Sequence, residues 1–246
     1  MRLLLLLLLV TIFVYLLINS RSTYDGDNII FVLRSHVCND YTQRLWNKLS
    51  LECGNVYMIY DNTKGTYKDN FYSGNVILHT EEDCKEINKL HDKIYTTVES
   101  SLCFLKKKEN LEFDYMWVIE NDVYMDGNFN SLCDIKDTSE FLATSVEGYY
   151  ELPNWQWWTH LKGEIDQNVL LEDRKKSFFP VVRCSKSLVE KLEKNLGTSS
   201  GYCEVYFPTL AETINNIPDE YVGAITLGKI EPVPSNNDNK LYHKVQ

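Results

Sequence analysis

The fold is decided by the stretch DYMWVIENDVY, which runs from Asp114 to Tyr124. Its first half is apolar and aromatic, as expected of a buried strand. The strand ends abruptly at two acids, Glu120 and Asp122, with Asn121 between them. Because side chains alternate along an extended chain, residues two apart point the same way. The two carboxylates should therefore converge on one spot at the end of the strand.

Two neighbouring carboxylates repel each other unless positive charge lies between them, and hard divalent cations prefer oxygen ligands. Mg²⁺ or Mn²⁺ held by one or two carboxylates and by substrate phosphates is the usual reason for such an arrangement. The alternative is a polar exit from the strand with both acids solvated. The apolar strand in front of Glu120 and Asp122 favours a metal site.

Composition limits the class of protein. The chain has 246 residues, 44% hydrophobic and 13% aromatic, which indicates a folded domain with a sizeable core. The net charge is -10 and no basic run exceeds Lys106–Lys108, so a nucleic-acid partner held by a broad basic face is not expected. An acidic protein can still bind a nucleoside diphosphate through a cation.

The N-terminus carries an apolar run from Leu3 to Ile18. It is slightly shorter than the ~17–25 residues of most spanning helices, and no Ala-x-Ala-like cleavage site follows it. We predict an uncleaved signal-anchor over residues 1–22, a short stalk over 23–28 and a catalytic domain over 29–246. The expected location is a type II single-pass membrane protein with a lumenal domain. Cleavage and secretion are the alternative, and Arg2 and Arg21 nearly balance, so charge does not fix the orientation.

The spacing of the cysteines argues against a structural zinc site and leaves disulfides possible. None of the seven forms a C-x-x-C pair, so a structural zinc site is not expected. A lumenal location would permit some disulfides with at least one thiol left over. The sequence does not assign the pairs.

Strands and helices are predicted to alternate along the chain. The predicted strands are Ile29–Leu33, Asn55–Tyr60, Asn75–Leu78, Glu140–Val146 and Phe178–Val182, and the predicted helices are Tyr41–Leu51, about Lys85 to Phe104, and one capped by Ser185. This alternation indicates an α/β fold: an open, mostly parallel sheet flanked by helices in a single domain. Ligands bind beyond the carboxyl ends of such strands, and the polar residues found there are Arg34, His36, Asp61, Glu120 and Asp122.

This succession of motifs resembles glycosyltransferases of the GT-A fold. The resemblance implies a nucleotide-sugar on the first βαβ units and Mn²⁺ or Mg²⁺ held against its diphosphate by a D-x-D-type motif. Glu120-Asn121-Asp122 resembles that motif with Glu in place of the first Asp, which favours Asp122 as the direct ligand. Asp61 matches the position at which the family recognises the nucleoside. His243 matches a C-terminal His that completes the metal site in many members of the family. Arg34 and His36 would contact the diphosphate or the base of the donor. The alternative is that they only stabilise the loop that follows the first strand.

A second acid lies in GYCEVYFPTL, residues 201–210. Apolar and aromatic neighbours tend to raise the pKa of a carboxyl such as Glu204, which suits a general base. The block resembles one in core-2-type acetylglucosaminyl- and xylosyltransferases, while the W-V-I-E-N-D-V block and the later W-x-W-W cluster resemble transferases from algae and large DNA viruses. The alternative for Glu204 is an ordinary acid at a helix N-terminus.

Three tryptophans, Trp155, Trp157 and Trp158, lie within four positions. Flat apolar rings with one N–H donor stack well on sugars, so we predict an acceptor-binding surface, with core packing as the alternative. The basic run Arg174–Lys176 is expected to be a solvated turn, or else a mobile loop that closes over the diphosphate.

The sequence therefore predicts a membrane-anchored, metal-dependent glycosyltransferase that moves a sugar from a nucleotide-sugar to a glycan or glycoprotein. Glu204 would act as the base of an inverting reaction, and a retaining route stays open. One alternative is a carbohydrate-binding protein without turnover. A nucleotidyltransferase is the weaker alternative, because that class usually needs a Gly-rich basic loop after its first strand, and Arg34–Asn39 contains no glycine.

Overall fold

The computed structural model describes residues 27–223 and 238–243. Within these ranges no helix combines the length and the apolar character needed to cross a membrane. The predicted signal-anchor, residues 1–22, lies outside the described residues.

The first half of the described chain alternates strands with helices. In order these are β1 (Ile29–Ser35), α1 (Asp40–Glu52), β2 (Val56–Asp61), β3 (Val76–His79), α2 (Glu81–Ile87), α3 (Val98–Glu109) and β4 (Tyr115–Glu120).

The second half has shorter elements. They are β5 (Val123–Asp126), β6 (Phe141–Ala143), β7 (Val146–Gly148), β8 (Leu161–Gly163), α4 (Glu164–Asn168), β9 (Lys175–Ser177), β10 (Val181–Ser185), α5 (Lys186–Lys194), β11 (Ser199–Gly201), α6 (Cys203–Leu210), β12 (Ile214–Asn216) and β13 (Lys240–His243). Short 3₁₀ turns cover Phe129–Asp134, Leu171–Asp173 and Asp219–Tyr221.

The central sheet has seven strands in the order β12-β6-β10-β4-β1-β2-β3. All neighbours in it are parallel except β10, which runs antiparallel to both β4 and β6. Three further two-stranded ribbons pair β5 with β13, β7 with β9, and β8 with β11. The predicted α/β class, with a mostly parallel sheet and flanking helices, is confirmed.

Both faces of the sheet are buried, and this fixes its register. In β1, Ile30 and Val32 pack into one hydrophobic cluster, whereas Phe31 and Leu33 pack into the cluster on the other face. A shift of one residue would exchange these two sets between the faces. The carboxyl ends of β1, β2 and β4 are therefore held at one edge of the sheet.

Two predicted elements are divided in the structure. The helix predicted from about Lys85 to Phe104 is two helices, α2 and α3, because a capping box of Thr80 and Asp83 starts α2 early and Asn88 ends it. The predicted strand Glu140–Val146 is also two strands, since β6 joins the central sheet and β7 pairs with β9. Ser185 caps α5 as predicted, with its hydroxyl accepting from the amide of Leu188 at 3.1 Å.

Candidate active site

A cleft of about 1340 Å³ opens beyond the carboxyl ends of β1, β2 and β4. Ten of the eleven predicted site residues line it: Arg34, His36, Asp61, Glu120, Asn121, Asp122, Trp155, Trp157, Glu204 and His243. They come from separate parts of the chain, as expected of a site built at the edge of a parallel sheet.

Glu120, Asp122 and His243 form a cluster at the end of β4. Each offers one ligand atom, and these atoms all lie within 4.8 Å of one another. Nε2 of His243 is 3.3 Å from Oδ1 of Asp122. The imidazole reaches the acids because β13 pairs antiparallel with β5, which places His243 opposite Val123. The two carboxylates offer the oxygen ligands that Mn²⁺ and Mg²⁺ favour, and the imidazole of His243 could complete the set.

Arg34 supplies positive charge beside this cluster. It is the direct register partner of Glu120 across β1 and β4, and its Nη1 lies 3.2 Å from Oε1 of Glu120. Its Nη2 donates to the carbonyl of Ile94 at 3.2 Å. The guanidinium therefore offsets part of the repulsion between the two acids and ties the strand end to the segment 88–97.

Glu204 lies in the first turn of α6, half-buried at the cleft wall. Burial raises the pKa of its carboxyl to about 7, against the lowering effects of the Lys176 charge and of hydrogen bonds to the Phe179 backbone and the Tyr202 side chain. The residue opens a helix, as one interpretation of the sequence expected. Its raised pKa suits a general base, and that role stays a prediction.

Lys176 belongs to the basic run that was expected to form a solvated turn or a loop over the diphosphate, and it lies instead in β9 with its side chain at the cleft. Its Nζ lies 2.6 Å from Oε2 of Glu147, its partner across β9 and β7. The same ammonium lies 5.5 Å from the ring centroid of Trp155 and lines the cleft. Arg174, expected in a solvated turn, is instead buried, and its guanidinium donates to the carbonyl of Trp158 at 2.6 Å.

The predicted aromatic surface divides into two parts. Trp155 and Trp157 are half-buried at the cleft wall, and the ring of Trp157 lies 5.0 Å from that of Tyr202. Trp158 is only 2% exposed and packs in the core, with its indole N–H donating to the carbonyl of Leu152 at 2.8 Å. Trp158 is therefore a core residue, which was the alternative to an acceptor-binding role.

The opposite wall of the cleft is polar. Asp61 ends β2 and accepts from the amide of Thr63 at 2.9 Å. His36 is exposed nearby. Further lining residues that the sequence did not single out are Lys64, His79, Glu81, Lys93, Ile94 and Tyr95.

No protein-family model matches the chain, and no curated protein matches it in sequence. Among solved structures, the WbbM bifunctional glycosyltransferase in its apo form overlaps 82% of this chain at 9% identity with a TM-score of 0.42. This chain spans 40% of the length of WbbM.

HddC from Yersinia pseudotuberculosis overlaps 66% of this chain and 79% of its own at 12% identity. The TM-score is 0.34, and it is 0.35 for HddC complexed with GMP-PN. Overlaps of this extent assign no activity, so the functional conclusion rests on the residues of the cleft.

Proposed function

We propose that this protein is a metal-dependent glycosyltransferase that moves a sugar from a nucleotide-sugar donor to a glycan or glycoprotein acceptor. One observation carries the proposal: the ligand atoms of Glu120, Asp122 and His243 lie within 4.8 Å of one another in the same cleft as Glu204. Ligands for a cation, and a carboxyl whose pKa burial raises to about 7, suit the metal-assisted transfer of a sugar from a diphosphate with a general base.

Asp122, Glu120 and His243 would hold Mn²⁺ or Mg²⁺, which when bound neutralises the charge that develops on the departing nucleoside diphosphate. Asn121 lies between the two acids and lines the cleft beside the expected diphosphate. Arg34 adds a fixed positive charge at the same end of the cleft, 3.2 Å from Glu120. Asp61 and His36 at the polar wall would contact the nucleoside.

Glu204 would take the proton from the acceptor hydroxyl. The acceptor oxygen then bonds to the anomeric carbon, and the electron pair of the broken carbon–oxygen bond leaves with the diphosphate. A single in-line displacement of this kind inverts the anomeric configuration, whereas a retaining route would give the other anomer.

The aromatic wall supports an acceptor that is a sugar. Trp157 and Tyr202 lie 5.0 Å apart between ring centroids, and Trp155 lies beside them at 6.2 Å from Tyr202. Rings arranged in this way present apolar surface for the C–H faces of a pyranose. The apolar run Leu3–Ile18 supports a membrane anchor, and we propose a type II arrangement with a lumenal domain.

The test begins with thermal unfolding in a panel of nucleoside diphosphates, each with and without Mn²⁺. A ligand that binds the native state raises the midpoint by mass action, so the correct base should shift it only when metal is present. The panel also identifies the donor for a transfer assay, in which the product anomer distinguishes inversion from retention.

Asp122→Asn should then abolish the metal-dependent shift and reduce transfer by at least ~100-fold, the upper end of the effect of losing an outer-shell partner of a metal. Asp114→Asn is the matched control, because Asp114 precedes the start of the same strand and accepts from the amide of Asn28. Full transfer by Asp122→Asn, with metal still required, would contradict the proposal.

The aromatic wall alone would equally suit a carbohydrate-binding protein without turnover. Such a protein has no need of a cation beside Glu204. It would bind the glycan with unchanged affinity in Asp122→Asn and would not hydrolyse any nucleotide-sugar when the acceptor is absent.

A further inference from the structure

Glu99 is a buried carboxyl that the proposed chemistry does not use. It lies in the first turn of α3 and has no exposed surface. One oxygen, Oε1, accepts from the hydroxyl of Ser200 at 2.6 Å and from Nδ2 of Asn88 at 3.4 Å. The other, Oε2, is buried with no hydrogen-bond partner among the described residues. Burying a carboxyl in this way is unfavourable, so a role for it is expected.

Ser200, which donates to Glu99, lies four residues before the proposed base Glu204 in the chain. Ser200 lies in β11, Tyr202 follows it, and α6 begins at Cys203 with Glu204 in its first turn. The amide of Cys203 donates to the carbonyl of Thr96 at 2.7 Å, just before α3 begins. The start of α3 thus fixes the segment 200–203 at two points, Ser200 and Cys203.

Asn88 extends the same network to the opposite wall of the cleft. Its Oδ1 accepts from the amides of Gly197 and Leu90, at 3.1 and 3.0 Å. It therefore joins the segment that precedes β11 to the segment 88–97. That second segment contains Ile94, whose carbonyl accepts from Arg34 beside the proposed metal ligands. Glu99 and Asn88 do not line the cleft, but their contacts join the segments that carry Glu204 and Ile94, which lie on its opposite walls.

We propose that Glu99 is a positioning residue for Glu204, an inference that rests on the proposed transferase function. Through Ser200 it holds the segment that ends in Tyr202, so that the Glu204 carboxylate and the Tyr202 ring stay at the cleft wall. It touches neither donor nor acceptor. Its effect is on the orientation of the base and not on the binding of the nucleotide.

Tyr206 on α6 also faces this carboxyl. Its hydroxyl is buried and has no hydrogen-bond partner among the described residues. Burial and, next, the nearby charge of Glu99 raise the pKa of Tyr206. Burial likewise raises the pKa of Glu99 to about 7, and Gln is an uncharged replacement of nearly the same shape as its protonated form.

The decisive variant is Ser200→Ala, which removes the 2.6 Å hydrogen bond with little change in volume. The expected result is a kcat about tenfold lower, as for the loss of one buried hydrogen bond. The donor KM and the affinity for nucleoside diphosphate with Mn²⁺ should stay within about twofold of the wild-type values. Ser100→Ala is the matched control, since that neighbouring buried hydroxyl has no partner among the described residues and its removal should leave kcat unchanged.

Glu99→Gln keeps an acceptor oxygen for Ser200 and should retain most of kcat, whereas Glu99→Ala should not. If Glu99→Ala does not fold, the comparison of Ser200→Ala with Ser100→Ala still decides. A wild-type kcat in Ser200→Ala, or a loss of nucleotide affinity in proportion to kcat, overturns the proposal.

Hydrogen exchange measured by mass spectrometry tests the same point without turnover. Ser200→Ala should speed exchange in the peptide covering residues 199–206 and leave peptides from β1 and β4 unchanged. Unchanged exchange in 199–206 overturns the positioning role. Absence of transfer by the wild-type protein with every donor would instead contradict the proposed function, so the two failures are distinguishable.

Discussion

Arg34 and Glu120 form a 3.2 Å ion pair between directly opposed residues of β1 and β4. The Arg34 side chain is 10% exposed and that of Glu120 is 33% exposed, so the pair is partly shielded from water. It lies at the strand ends where Asp122 and His243 also meet. The acidic end of the cleft therefore has a cation of its own, with which a bound metal would share the charge of Glu120.

This pair gives the first prediction. Arg34→Gln removes the guanidinium and leaves Glu120 and Asp122 to repel each other, so the metal-free protein should lose roughly 1–3 kcal/mol of unfolding free energy. Mn²⁺ should then restore part of the loss, because it replaces the missing positive charge. Denaturant unfolding with and without Mn²⁺ measures both effects.

Lys64→Gln is the control, since it removes an exposed positive charge from the same cleft. It should change stability by no more than about 0.5 kcal/mol. An Mn²⁺ effect no larger in Arg34→Gln than in the wild-type protein would contradict a shared charge at Glu120.

The second prediction concerns the C-terminal strand. His243 is buried and reaches Asp122 only through the pairing of β13 with β5. His243→Ala should weaken Mn²⁺ affinity by at least about 10-fold, because loss of even an outer-shell partner of a metal has an effect of that size. Isothermal titration with Mn²⁺ measures it. Tyr242→Phe, which keeps the neighbouring ring in the same strand, should bind the metal normally, and equal losses in both variants would indicate disruption of β13 instead.

The local sequence pattern was sufficient to predict the buried strands of the sheet and the pair of acids Glu120 and Asp122. The apolar runs of β1 and β4 identify buried strands. Glu120 and Asp122 lie together as predicted, but the reason is the tight turn of residues 121–122 between β4 and β5 and not alternation along a strand. Both features depend on neighbours in sequence. That is why the strand ends, and the polar residues that follow them, were predictable before any tertiary contact was known.

The remaining features depend on pairing between distant segments. Lys176 meets Glu147 only because β9 pairs with β7, and Glu99 meets Ser200 only because α3 begins beside β11. Neither contact can be predicted from a periodic pattern in the local sequence. Trp158 shows a related failure, since three clustered tryptophans do not reveal which ring the core will bury.

The division among the tryptophans gives the third prediction. Trp157→Ala should raise the acceptor KM with little change in stability, because that ring lies at the cleft wall against Tyr202. Trp158→Ala should instead destabilise the fold by about 3–5 kcal/mol, as expected for truncation of a buried Trp. Acceptor titrations and denaturant unfolding on both variants check the assignment. A similar stability loss in both would place Trp157 in the core as well.

The fourth prediction is the pH dependence of transfer. Burial raises the pKa of Glu204 to about 7, and a general base must be ionised to accept a proton. Activity should therefore rise with pH through about 7 and reach a plateau above it, falling about tenfold per unit on the acid side. Lys176→Met removes a charge that lowers this pKa, so the acid limb of its profile should move to higher pH.

Stability should vary in the opposite direction to activity. Because the folded pKa of Glu204 lies above its ordinary value of 4.5, its contribution to stability is fully present below pH 4.5 and is lost as the pH rises through about 7. Glu204→Gln should flatten that dependence and abolish transfer, whereas Glu151→Gln, which alters an exposed acid near the tryptophans, should leave both profiles unchanged. An acid limb that stays in place in Lys176→Met would mean that a group other than Glu204 controls the rate.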